Sequence, residues 1–104
     1  MYVLIWEYQV KTDRLVEFEE IYSPTGAWTK LFQKSKGYLE TELLRDASGP
    51  HRYITIDRWM SSQEYEDFLL QWKAEYAIID AECEGLTERE TSLGKFETDF
   101  RKTR

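Results

Sequence analysis

Glu7 is the one charged residue in the strand-like stretch Tyr2-Val3-Leu4-Ile5-Trp6-Glu7-Tyr8-Gln9-Val10. An ionised carboxylate among apolar neighbours is costly unless it is paired, so this position carries either chemistry or a partner. As chemistry, Glu7 would be a general base or a substrate anchor. As structure, it would pair with Arg52 or Arg58 on a neighbouring strand. Asp57 and Arg58 are adjacent in a second strand-like run, so they point to opposite faces and only one of them can join an interior site. Their order alone does not say which.

The chain is rich in rings, with four Trp, seven Tyr and five Phe. Trp28, Tyr53, Trp59, Trp72 and Tyr76 are the candidate lining of a ligand pocket, and the two tyrosines carry hydroxyls able to donate to an oxygenated ligand. The alternative for each is plain core packing. His51 follows Gly49-Pro50 in a turn and reads as an exposed loop residue, a poor metal site by itself. Cys83 falls on the apolar stripe of a helix with no basic partner nearby and reads as a small buried hydrophobe.

The elements that must position these residues follow from periodicity. After the first strand, Lys11-Thr12-Asp13 carries turn and helix-cap chemistry, and Leu15, Phe18 and Tyr22 recur at helical spacing. Pro24 and Gly26 break this helix, and a second short piece continues through Trp28, Leu31 and Phe32 until Gly37. Tyr38–Arg45 and Arg52–Trp59 read as two strands of a hairpin joined by Asp46-Ala47-Ser48-Gly49-Pro50. Ser61 and Glu64 fit a capping box, followed by about six turns of helix through Tyr65, Phe68, Leu69, Trp72, Tyr76, Ile79 and Cys83, long enough to bend. A last strand runs from about Glu88 to Glu97. The order is βαββαβ, a ferredoxin-like α+β plan in a single domain over residues 1–104, an antiparallel sheet with helices on one face.

Such a sheet normally leaves its second face in water. Here the first strand is apolar on both sides, so the bare face must be covered, and a second copy of the chain is the simplest cover. Leu4 and Trp6 are expected on that face. The partner expected is therefore a homodimer. A net charge of −6 argues against nucleic acid, because phosphate-binding proteins concentrate Lys and Arg. The basic tail Arg101-Lys102-Thr103-Arg104 reads as a solvated terminus. A single cysteine fits a reducing compartment, and no apolar run suits a signal peptide or a membrane span, so a cytoplasmic protein is expected.

Together, Trp6-Glu7-Tyr8, the run from Tyr22 to Phe32 with Pro24, Gly26 and Trp28, Gly37-Tyr38-Leu39, and Arg52–Trp59 followed by the Ser61 cap resemble the antibiotic-biosynthesis-monooxygenase-like branch of the dimeric α+β barrel superfamily. The resemblance covers nearly the whole chain. It implies back-to-back pairing of two sheets. It also implies chemistry without metal, haem or flavin in those members that oxygenate polyphenols or quinols, where the electron-rich substrate itself reduces dioxygen. Haem-degrading relatives use an Asn on the first strand and a Trp and a His on the last helix. Here those places hold Glu7, Phe68 and no His between Tyr65 and Gly85, so no haem is expected. Neither is a flavin or a metal, since no phosphate loop and no ligand spacing is present.

The function implied is a cofactor-independent monooxygenase-like protein acting on a small aromatic or quinol metabolite, with Glu7 as its acid–base group. Two alternatives use the same scaffold: a non-catalytic dimeric module for small ligands or protein partners, and an isomerase or decarboxylase. An enclosed pocket holding a polar group separates the chemical readings from a module with a filled interior.

Overall fold

In the computed structural model, which describes residues 1–98, eight elements follow in the order β1 (Tyr2–Val10), α1 (Leu15–Tyr22), α2 (Ala27–Phe32), β2 (Tyr38–Arg45), β3 (Arg52–Trp59), α3 (Ser62–Gln71), α4 (Lys73–Cys83) and β4 (Thr87–Glu97). The basic tail at 101–104 lies outside the described residues. The strands form one antiparallel sheet in the order β2-β3-β1-β4. This is the βαββαβ plan with each helical segment split in two.

Alternation fixes which side chains meet the helices. On β1 the inward set contains Leu4, Tyr8 and Val10, all buried in the core cluster, with Tyr2 and Trp6 packed against it. The expectation that Leu4 and Trp6 lie on the bare face is therefore corrected. The bulky aromatic set packs under the helices, where its area is best used, and the slimmer set Val3, Ile5, Glu7 and Gln9 occupies the open face. On β3, Tyr53, Thr55, Asp57 and Trp59 are buried beneath the helices, and Arg52, Ile54, Ile56 and Arg58 alternate with them.

The first break between helices is steric. A Cβ on Gly26 would fall on the backbone carbonyl oxygens of Glu20 and Ile21 at the end of α1, so only glycine lets α2 start this close. That contact aims Trp28 back toward the sheet. The second break, at Trp72, has no Gly or Pro to cause it; its backbone leaves helical geometry at φ −110°, ψ 27°, and a new helix begins at Lys73. Trp59 sits at the centre of the solid part of the core, ringed by Phe32, Tyr38, Tyr65 and Phe68 at centroid distances of 5.1–5.5 Å.

The helix caps follow the sequence in one case and not in another. The Ser61 hydroxyl accepts a hydrogen bond from the Glu64 amide at 3.2 Å, as its position predicts. Ser61→Ala is expected to cost about 1 kcal/mol of stability, read as a lower denaturant midpoint at unchanged slope. For α1, by contrast, the capping position is Arg14, without a side-chain cap; the Lys11-Thr12-Asp13 stretch instead forms a turn closed by the Arg14 amide on the Lys11 carbonyl at 2.9 Å.

Candidate functional site

Between the helices and the inner sheet face the core does not close. A cavity of about 290 Å³ remains, walled by Leu4, Trp6 and Tyr8 of β1, by Tyr22, Trp28 and Phe32 from α1 and α2, and by Tyr65 and Tyr76 from α3 and α4. Thr41, Thr55 and Asp57 form its floor, and Asp80 and Glu90, both exposed, stand at its mouth. A flat ring fits this space by size and by lining.

Asp57 is the unusual group. It is 8% exposed and has no cation beside it. Its Oδ1 accepts a hydrogen bond from the Thr41 hydroxyl at 2.6 Å, and Thr41 in turn accepts from the Tyr38 hydroxyl at 2.7 Å. No described residue donates a hydrogen bond to the second carboxylate oxygen. Burial pushes the carboxyl up to about 6, against the lowering effect of the Thr41 hydrogen bond. An aspartate held near neutrality in an apolar pocket, oriented from behind and open in front, is equipped to take or give a proton. The Tyr8, Tyr22, Tyr65 and Tyr76 phenols are pushed upward by burial first of all, so they stay protonated as donors. Tyr8 shares a hydrogen bond with Thr55 at 3.2 Å.

A backbone irregularity builds the Asp57 network. Pairing of β2 with β3 slips between Tyr38 and Glu40, and beyond the slip Thr41 stands opposite Asp57. Without it, the pairing Tyr38↔Trp59 would continue with Glu40 opposite Asp57. The slip therefore replaces a second carboxylate by a hydroxyl and also turns both Tyr38 and Thr41 to the inner face.

Of the ring residues expected around a pocket, Trp28 and Tyr76 line it, their centroids 4.8 Å apart. The other three do not. Tyr53 is buried against Phe18 with its hydroxyl donated to Glu19. Trp59 is packed solid, and Trp72 lies at the helix break with the Lys34 ammonium 4.9 Å above its ring. His51, expected to be exposed, is half-buried in the β2–β3 turn, where its own backbone carbonyl anchors the Val10 amide at 2.8 Å. Cys83 is buried, and burial pushes its thiol up, which makes it a poor nucleophile.

The family model for antibiotic biosynthesis monooxygenase matches residues 1–70. The chain belongs to this family. Among solved structures, SnoaB from Streptomyces nogalater, a cofactor-independent oxygenase, is 18% identical with a TM-score of 0.76, covering 93% of this chain and 91% of that one. A candidate antibiotic biosynthesis monooxygenase from Nitrosomonas europaea is 19% identical with a TM-score of 0.70, covering 96% and 100%. PA3566 from Pseudomonas aeruginosa is 14% identical with a TM-score of 0.68, covering 91% and 90%. At these identities the likeness establishes the ferredoxin-like α+β fold. No curated protein matches the sequence.

In this family member Glu7 lies outside the pocket. Its side chain is on the open face and accepts from Arg52 Nε at 2.5 Å, and Arg52 also reaches Asp46 at 3.2 Å. Both partners are partly open to solvent, so the pair is screened and contributes little to stability. Glu7→Gln is expected to leave ligand binding in the pocket unchanged and to move the melting temperature only slightly. A fall in pocket affinity on this substitution would return Glu7 to the site. Among the described residues, no three His, Cys, Asp or Glu side chains converge in an arrangement able to hold a metal ion, and no helix is long and apolar enough to cross a membrane.

Proposed function

We propose that the protein is a cofactor-independent monooxygenase acting on a small phenolic or quinol substrate bound in the helix–sheet pocket, with Asp57 as the general base. The observation that carries this reading is Asp57 itself. A carboxylate buried without a cation works against the fold, and this one lines a space of a size for a ring. Family membership supplies the reaction class.

In the reaction proposed, Asp57 takes the phenolic proton and leaves an electron-rich phenolate in the cavity lined by Trp28, Tyr76 and Trp6. The phenolate transfers an electron to dioxygen, and the two radicals combine as a hydroperoxide at a hydrogen-bearing ring carbon ortho or para to the oxygen. Loss of that carbon's hydrogen and of hydroxide, which takes up a proton, gives the carbonyl. One oxygen atom ends in the quinone and the other in water, all electrons coming from the substrate. The pocket's part is to exclude bulk water, hold the ring and keep Asp57 and the tyrosine hydroxyls in place.

The same reading includes a homodimer. The open face presents Ile5, Ile54 and Ile56, with Val3 already covered at 6% exposure, bordered by Leu44 and Phe96 at 45% and 46% exposure. Gly94 has φ +136°, a backbone that favours glycine, and leaves room for the Phe96 ring to lie against it. The Glu7–Arg52 and Glu42–Arg58 pairs lie on the same face. A continuous apolar stripe of this kind on one side of a four-stranded sheet is what a second copy would cover.

Oxygen uptake measured with the wild-type protein over a panel of hydroquinones and polyphenols tests the reaction. Stoichiometric formation by the wild type of a quinone that has gained one oxygen atom from dioxygen, lost in Asp57→Asn, is expected. Equal uptake by both proteins would contradict it.

A further inference from the structure

We propose that the pocket selects its ligand by charge: it takes phenols without an anionic group, favours those carrying an ammonium group, and rejects carboxylated or sulfonated ones. This rests on the reading of the cavity as the ligand site and adds the substrate class. The thirteen lining residues include three carboxyl groups, Asp57 on the floor and Asp80 and Glu90 at the mouth, and no Lys, Arg or His. None of the three is in an ion pair among the described residues. Glu90 is pushed up first by its partial loss of water and then by the charge of Asp80.

The walls act in the same direction. The faces of Trp28, Tyr76, Trp6 and Tyr22 carry negative π-density, which attracts a cation and repels an anion. An anionic ligand would therefore lose its hydration and meet three carboxyl groups with no counter-charge, whereas an ammonium group at the mouth would be placed between Asp80 and Glu90. A phenol entering ring first can reach Asp57 with its hydroxyl while an alkylammonium chain trails toward the mouth.

The test uses three probes with one phenol ring: 4-ethylphenol, tyramine and 3-(4-hydroxyphenyl)propionate. Binding is followed through the indole N–H resonances of Trp6 and Trp28. Tyramine should bind most tightly and the carboxylate at least about tenfold more weakly than 4-ethylphenol at low salt, with the gaps narrowing as ionic strength rises. In the Asp80→Asn/Glu90→Gln double variant, whose changed residues are exposed, the advantage of tyramine over 4-ethylphenol should disappear. Equal or tighter binding of the carboxylate, or no perturbation of either indole by any probe at millimolar concentration, would overturn the inference. The expected order of binding, with no oxygen uptake on any hydroquinone or polyphenol of the panel above, would leave charge selection standing and remove the oxygenase reading instead.

Discussion

Asp57→Asn is expected to lower turnover of an identified phenolic substrate by about 10²–10⁴-fold, the usual contribution of a general base, while making the protein more stable at neutral pH. The two effects have one cause. The folded protein holds the Asp57 carboxyl at about 6 against 3.8 for an unperturbed aspartate. A raised carboxyl favours the protonated form in the fold, so the stability associated with it is complete below 3.8 and is lost as pH rises through about 6. The difference of roughly two units corresponds to about 3 kcal/mol. Asparagine can still accept the Thr41 hydrogen bond and has no charge to desolvate. The variant should therefore melt higher than the wild type at pH 8 and converge with it toward pH 4. The groups facing Asp57 are the hydroxyls of Tyr8, Tyr38, Tyr65 and Tyr76, with Asp80 and Glu90 at the mouth and no cation, so nothing among the described residues pulls its titration back down. In the wild type, kcat/KM should rise with pH through about 6 as the base ionises. A pH profile flat from 5 to 8, or a destabilised Asp57→Asn at pH 8, would remove Asp57 from this role.

Ile56→Asp should dissociate the proposed dimer. Ile56 stands between Ile5 and Glu42 on the open face, so the new carboxylate would face an existing one across the sheet and face its symmetry mate or the partner's apolar stripe across the interface. Two-fold symmetry enters each substitution twice, and at 2 kcal/mol or more for a central position the dimer should weaken by about 10³-fold or more. Sedimentation would then show a monomer, or soluble protein would be lost if the monomer cannot stand alone. A folded Ile56→Asp dimer would show that the interface lies elsewhere.

Much of the fold was legible because its signals are local. Strand periodicity, the Pro24 and Gly26 break, the Asp46–Pro50 turn and the Ser61 cap each act over a few residues, and together they place every element within a few positions of where it lies. The break at Trp72 was not legible beyond an expected bend, since no Gly or Pro causes it and only packing against the sheet decides it. The two faces of β1 were harder still: both are apolar, and the deciding fact is that Tyr2, Trp6 and Tyr8 supply the bulk that the helices need. Trp28 and Tyr76 were readable as pocket lining from their helical stripe, whereas Tyr53 and Trp59 share the inner face of β3 but fall where the core is solid.

Asp57 was half-legible. Its parity with Tyr53 and Trp59, as opposed to the Arg52, Ile54, Ile56, Arg58 set, marks the inner face once the aromatic set is recognised as the buried one. Thr41 was out of reach of any pattern argument. Regular pairing would have set Glu40 against Asp57, and only the slip at the start of β2 brings a hydroxyl there. Glu7 stood out in the sequence as a charge on an apolar strand with Arg52 or Arg58 as its possible partner, and the register sets Arg52 diagonally across from it, opposite Gln9.

The central claim is that the ligand lies in the helix–sheet pocket with its hydroxyl on Asp57. A crystal structure of the protein with a bound phenol tests this most directly. The ring is expected in the cavity against Trp28 and Tyr76, with its oxygen within hydrogen-bond distance of the Asp57 carboxyl. A phenol seated on the open sheet face beside Glu7, or bound in the pocket with its oxygen turned away from Asp57, would contradict it.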